Sequence, residues 1–153
     1  MRTVVIKNKK GEVIFDGDQT LLCADDPDLR EAMLEGVVME GARFDGADLR
    51  GANLRGADFY WGGFFTTNLS GADLEGAQLQ GADLKKANLT NANLRNANLG
   101  RDNLGGSTQL QGAILTGANL RFANLEGAEY DSKTIFPEDF SPQAAKMILR
   151  ENS

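Results

Sequence analysis

The sequence predicts an all-β solenoid, a four-sided β-helix of about five coils with a cap at each end. Three observations predict it. An apolar residue returns at every fifth position from Met39 onward. The position two residues before it is mostly Ala, and the position two residues after it is mostly Gly.

The apolar centres run Met39, Phe44, Leu49, Leu54, Phe59, Phe64, Leu69, Leu74, Leu79, Leu84, Leu89, Leu94, Leu99 and Leu104, then Leu110, Leu115, Leu120, Leu125, Tyr130 and Ile135. Of these 20 pentads, 14 carry Ala before the centre and 11 carry Gly after it. A period of five forms no stable stripe on an α-helix and alternates faces on a flat strand. It is consistent if every pentad makes the same bend and four bends close one coil. The centre then points inward, the Ala position leaves room only for a small side chain, and Gly suits a turn residue with positive φ. Counting in fours predicts four inward columns: Leu54, Leu74, Leu94, Leu115, Ile135; Met39, Phe59, Leu79, Leu99, Leu120; Phe44, Phe64, Leu84, Leu104, Leu125; and Leu49, Leu69, Leu89, Leu110, Tyr130. At about 4.8 Å per coil the rod is roughly 24 Å long. Each coil relies on its neighbours, so unfolding should be cooperative.

The units Ala47-Asp48-Leu49-Arg50-Gly51, Ala52-Asn53-Leu54-Arg55-Gly56 and Ala87-Asn88-Leu89-Thr90-Asn91 resemble the A-[D/N]-L-x-x signature of the pentapeptide-repeat proteins. The resemblance covers about two thirds of the chain. It implies a right-handed quadrilateral β-helix of bacterial, cyanobacterial type, and little about function.

The ends of a stack need cover. Residues 1–36 read as an N-terminal cap. Thr3-Val4-Val5-Ile6 and Glu12-Val13-Ile14-Phe15 flank a turn and form a hairpin over 3–15. Asp26 and Pro27 read as a helix start, with the helix over 27–35 ended by Gly36. The β-helix is expected over 37–135. Residues 136–153 form the C-terminal cap, with Ser141-Pro142 opening a short helix to about Arg150. Phe136, Phe140, Ile148 and Leu149 would cover the last coil, or the same end would form a homodimer interface.

Function in a repeat protein is sought where the repeat fails. Around Tyr60-Trp61-Gly62-Gly63-Phe64-Phe65, three aromatic side chains fall on outward positions, and the columns above place Trp61 with Gly81, Arg101 and Phe122. One reading lays Trp61 across Gly81 towards Arg101 as a cation–π contact. The other makes Tyr60, Trp61, Phe65, Arg101 and Phe122 a protein-binding patch. Between Leu104 and Leu110 the register slips by one residue, attributed to a bulge at Gly105, Gly106 and Ser107. Asp102 occupies a small inward position, where it either bonds backbone N–H groups freed by the bulge or is exposed by an opening of the coil.

Composition excludes much chemistry. The chain has 153 residues, no His and a single cysteine, Cys23. A general base of the commonest kind and paired-Cys or Cys/His zinc sites are therefore missing from the sequence, and Cys23 has no His to activate it. No catalytic, metal-binding or cofactor-binding residue is expected, and no cofactor. The N-terminal segment lacks a signal-peptide core and no apolar run suits a membrane span, so a soluble cytoplasmic protein is expected, away from membranes. The net charge is −6, but the stretch 37–135 carries only −2, and one outward column reads Glu35, Arg55, Glu75, Arg95. Alternating signs suit a cross-strand ladder. The favoured function is a non-catalytic structural or protein-interaction module of a regulatory kind, with an unidentified protein partner and no direct nucleic-acid binding. The alternative, carried by the resemblance, is a DNA-mimicking binder of DNA gyrase, which would want rows of like charge instead.

Overall fold

The computed structural model describes residues 3–19, 22 and 26–151; Cys23 lies outside the described residues. Two antiparallel strands, β1 (Thr3–Lys7) and β2 (Val13–Asp18), form a hairpin. It joins the first coil through an antiparallel Asn8–Ala32 bridge and the Met33 N–H, which donates to the Lys7 carbonyl at 2.8 Å. Among the described residues no helix is long and apolar enough to cross a membrane.

From Asp28 onward the chain coils. Parallel bridges join residues 20 apart on four sides in turn: Asp28–Asp48, Met33–Asn53, Val38–Asp58 and Arg43–Gly63, and so on up the stack. The regular corners are built alike. The Ala52 N–H donates to the Leu49 carbonyl at 3.1 Å, across Arg50 and Gly51, and Gly51 has φ 66°. This is the φ pattern of a type II turn, so the residue two after the centre must tolerate positive φ. Where Asn or Asp precedes a centre it has a structural duty: its side-chain oxygen accepts the N–H two residues on, as in Asn53 to Arg55, Asn88 to Thr90 and Asn124 to Glu126. Such Asx turns explain the choice of short polar side chains there.

The shaft is solid. Leu49, Leu54, Leu84, Leu89, Leu94 and Leu99 are fully buried, and the Ala positions between them are closed in the same way. Its aromatic section is a three-ring cluster. Phe44 stacks on Phe64 at 5.2 Å, and Phe59 meets both edge-on at 5.5 and 5.3 Å.

The structure corrects four expectations. First, 27–35 is not a helix. Leu29 and Leu34 are buried centres, and Asp28 and Met33 pair with the second coil, so the solenoid starts about ten residues earlier than Val37. Second, the pairing interval jumps from 20 to 26 at Asp83–Gln109, Asn88–Ile114, Asn93–Asn119 and Asn98–Asn124. The irregularity is a six-residue excursion over 101–106, wider than a one-residue bulge at Gly105, Gly106 and Ser107. Leu104 is 80% exposed. The inward columns therefore run Leu84–Leu110–Tyr130, Leu89–Leu115, Leu94–Leu120 and Leu99–Leu125. Third, Ile135 faces out, half exposed, because one extra residue enters between Tyr130 and Ile135, giving the Ile114–Ile135 bridge an interval of 21. Phe136 turns in instead, meeting Tyr130 at 5.4 Å and Phe140 at 5.0 Å. Fourth, 142–150 is not a helix. Turns occupy 142–146, and β4 (Ile148–Leu149) pairs in parallel with β3 (Glu129–Tyr130), starting a further coil.

Candidate functional site

The outer surface carries the chemistry, and its largest irregularity is the excursion over 101–106. Asp102 does not point inward, contrary to the sequence reading. One carboxylate oxygen accepts the N–H groups of Leu104 at 2.8 Å and Gly106 at 2.6 Å. The other oxygen accepts the Trp61 indole N–H at 2.6 Å. Next to it the Tyr60 hydroxyl donates to the Asn103 side chain at 2.9 Å and accepts the Asn103 N–H at 2.6 Å. Tyr60 and Trp61 thus latch a loop more than 40 residues downstream. Beneath it the Thr108 side chain, fully buried at an Ala position, donates towards the Leu79 and Gly100 carbonyls and accepts the Gly81 N–H at 3.1 Å.

Trp61 does lie over Gly81: a Cβ there would meet Trp61 Cδ1 at 2.6 Å and Asp102 Oδ2 at 2.9 Å. The contact to Arg101 is not made, since the Arg101 side chain covers Gly127. Nor do the five candidate patch residues gather. Trp61 stands above Gly81 on one corner. Phe65 lies at the next corner, beneath the Lys86 ammonium at 5.7 Å. Phe122 belongs to the corner of Gly36, Gly56, Gly76 and Asn96, because the six-residue excursion displaces it from the column of Trp61. The bulge residues Gly105 and Gly106 sit inside the excursion that Asp102 caps.

The latch has an electrostatic signature. The Trp61 N–H holds the Asp102 carboxyl below the usual carboxylate range, against partial burial and with help from the backbone N–H groups of Gly106, Leu104 and Gly105. Asp131, which sequence reasoning missed, has the same role at the one-residue slip. Burial pushes its carboxyl up, but the Gly112 N–H, the Thr134 hydroxyl and the N–H groups of Lys133 and Thr134 outweigh it, and the net shift is downward. A lowered folded-state pKa contributes stability above the unfolded value of about 3.9, and that stability is lost as pH falls through the folded value. We expect the melting temperature to fall on acidification below about pH 4, less steeply in Asp102→Ala and Asp131→Ala than in the parent. A parallel, undiminished slope in both variants would show that these carboxylates do not report the latch. Asp102→Ala should also speed proteolysis within 101–106 while the remaining coils stay protected.

The charged ladder is as the sequence suggests over its middle. Arg55 Nη1 meets Glu75 at 2.8 Å and Asp73 at 3.3 Å, and Arg95 reaches Glu75 at 3.7 Å. Asp28, Asp45, Asp48 and Asp83 are each paired with a base two residues on or back; beside Arg30, the Asp28 carboxyl is held down to about 2. Exposed pairs such as these contribute little stability, but they offset the negative charge of the carboxylates they meet.

A four-sided solenoid of five-residue sides, its shaft filled by apolar side chains, defines a repeat protein. The pentapeptide repeat family model matches residues 28–59, 67–101 and 107–129 in eight copies, and the chain belongs to this family. The two internal stretches it leaves out, 60–66 and 102–106, hold the two partners of the latch. Among solved structures, the chain is similar to Rfr23, a pentapeptide repeat protein of the cyanobacterium Cyanothece 51142, at 40% identity and a TM-score of 0.59, over 65% of this chain and 63% of that one. It is also similar to a pentapeptide repeat protein of the Arabidopsis thaliana thylakoid lumen, at 35% identity and 0.47, over 69% and 66%. It thus spans just under two thirds of the length of each. Full-length QnrB1, a plasmid-mediated fluoroquinolone resistance protein, matches at 15% identity and 0.29, over 80% of this chain and 67% of that one. No curated protein matches the chain.

Proposed function

We propose that the chain is a non-catalytic protein-interaction rod, a regulatory scaffold of the cytoplasm built as a right-handed quadrilateral β-helix. The observation that carries this reading is the filled shaft: buried Leu, Phe and Ala side chains occupy the interior from Leu29 to Leu125. A substrate therefore has no interior to enter, and the repeated Asp and Asn side chains outside serve turns and ion pairs. What remains is a rigid lattice of outward side chains, suited to recognising another protein.

Affinity capture from extract of the native cell, with cross-linking and identification of the retained chains, tests the reading. A saturable partner held at fixed stoichiometry supports it. A retained substrate turned over by the pure protein would overturn it. The gyrase alternative has its own readout. With charges alternating along the Arg55–Glu75–Arg95 column, we expect no effect on DNA supercoiling by gyrase, and inhibition would raise the alternative above our reading. Use of the C-terminal end as a homodimer interface would appear as a concentration-dependent dimer in sedimentation.

A further inference from the structure

We propose that Phe122, with Arg95 and Arg121 against its ring, docks an acidic segment of the partner protein; this deepens, and rests on, the interaction-rod reading. The first argument is conformational. Phe122 has φ 60°, at a corner whose other residues are Gly36, Gly56, Gly76 and Asn96 with φ between 59° and 69°. A bulky side chain in the left-handed region is disfavoured, and such residues persist where function holds them. The ring lies outside the shaft. It is 70% exposed and stacks on no other aromatic ring among the described residues. Trp61 is the instructive contrast. It is also aromatic at a positive-φ corner, φ 57°, but its indole is committed to Asp102.

The second argument is charge. The guanidinium carbons of Arg95 and Arg121 each lie 5.7 Å from the centre of the Phe122 ring. Arg121 has no carboxylate within 4.0 Å among the described residues, and Arg95 reaches only Glu75, which Arg55 holds more closely. Two guanidinium groups with spare donors, oriented by one ring, suit planar carboxylates bidentately. The exposed ring beside them offers apolar area to a neighbouring side chain. Glu138 and Asp139 line the same shallow hollow as Arg121. Together with the net charge of −6, they disfavour an extended polyanion such as duplex DNA. A short segment with two or three carboxylates and an aromatic residue fits.

The test is an NMR titration of the full chain with a synthetic peptide of alternating Asp, Glu and Phe, beside its Asn/Gln counterpart and a short DNA duplex. Shifts of the amide and guanidinium signals of Arg95, Arg121 and Phe122, lost with the neutral peptide, are expected. Arg121→Glu and Phe122→Gly should each weaken binding at least about tenfold. Phe122→Gly should melt no lower than the parent, because relief at the corner offsets the added freedom of the unfolded chain. Its loss of binding is then not a loss of fold. Unmoved signals at these residues, or an equal response to the neutral peptide, would overturn the proposal, as would tighter binding of DNA at the same place. If Phe122→Gly captures the native partner as well as the parent does, the docking site is elsewhere and the interaction rod survives; if the parent captures nothing, the broader reading fails with it.

Discussion

Phe64→Ala is expected to lower the free energy of unfolding by about 3–5 kcal/mol, the usual cost of removing a buried phenyl ring. Phe64 is fully buried, stacked on Phe44 in the coil before it and edge-on to Phe59. Its loss therefore opens a cavity between two coils and removes two ring contacts at once. Four-sided coils closed by hydrogen bonds to their neighbours have little freedom to collapse into that space. Urea denaturation should show a lower midpoint with an unchanged slope, since the surface exposed on unfolding is the same. A cost under about 1 kcal/mol would mean the shaft is not packed as described.

The opposite change is the second large effect. Ala87 is fully buried, and its N–H donates to the Leu84 carbonyl at 3.1 Å where the chain turns the corner. Ala87→Leu adds volume at an inward position whose buried counterparts are mostly Ala and, at Thr67 and Thr108, nothing larger than Thr. Overpacking of this kind costs about 1–3 kcal/mol, and more where the backbone cannot yield. Here the backbone is tied on both sides, by Asn88 N–H to the Thr67 carbonyl and by Leu89 N–H to the Ile114 carbonyl. We expect a drop in melting temperature at the upper end of that range. A melting temperature equal to the parent's would show that the Ala column is not constrained.

The repeat itself was legible because each feature of a pentad has a separate physical cause: the centre fills the shaft, Ala gives it room, and Gly takes the positive φ of the corner. The errors lie where one signal admitted two readings. Leu29 and Leu34 keep the five-residue spacing, but Asp26 and Pro27 are also good helix-start residues. Tertiary pairing with the second coil decides the matter, and local propensity yields to it. Ser141 and Pro142 misled in the same way: the Ser141 hydroxyl does accept the Ala144 N–H at 3.1 Å, but pairing of β4 with β3 ends the turn before it can become a helix. Leu104 fits the period by spacing alone, five from Leu99. The discriminating sign was two residues earlier, where Asp102 would have been buried as an unpaired carboxylate. Taking that cost as decisive points to an excursion of the whole pentad plus one residue. The latch was half legible. Outward aromatics at 60 and 61 stood out, but their partners, Asp102 and Asn103, were hidden by the wrong column assignment. The roles of Thr108 and Asp131 left only a weak trace, as polar residues at or beside interruptions.

Disulfide trapping tests the coil register most directly. In a Cys23→Ser background, Asn88→Cys is combined either with Ile114→Cys or with Gln109→Cys, and the pairs are oxidised gently. Asn88 and Ile114 are bridge partners on adjacent rungs, within the reach of a disulfide, so rapid and nearly complete closure is expected for that pair and not for the other. Closure of the 88–109 pair instead would return Leu104 to the shaft and dissolve the latched loop on which the functional surface is built.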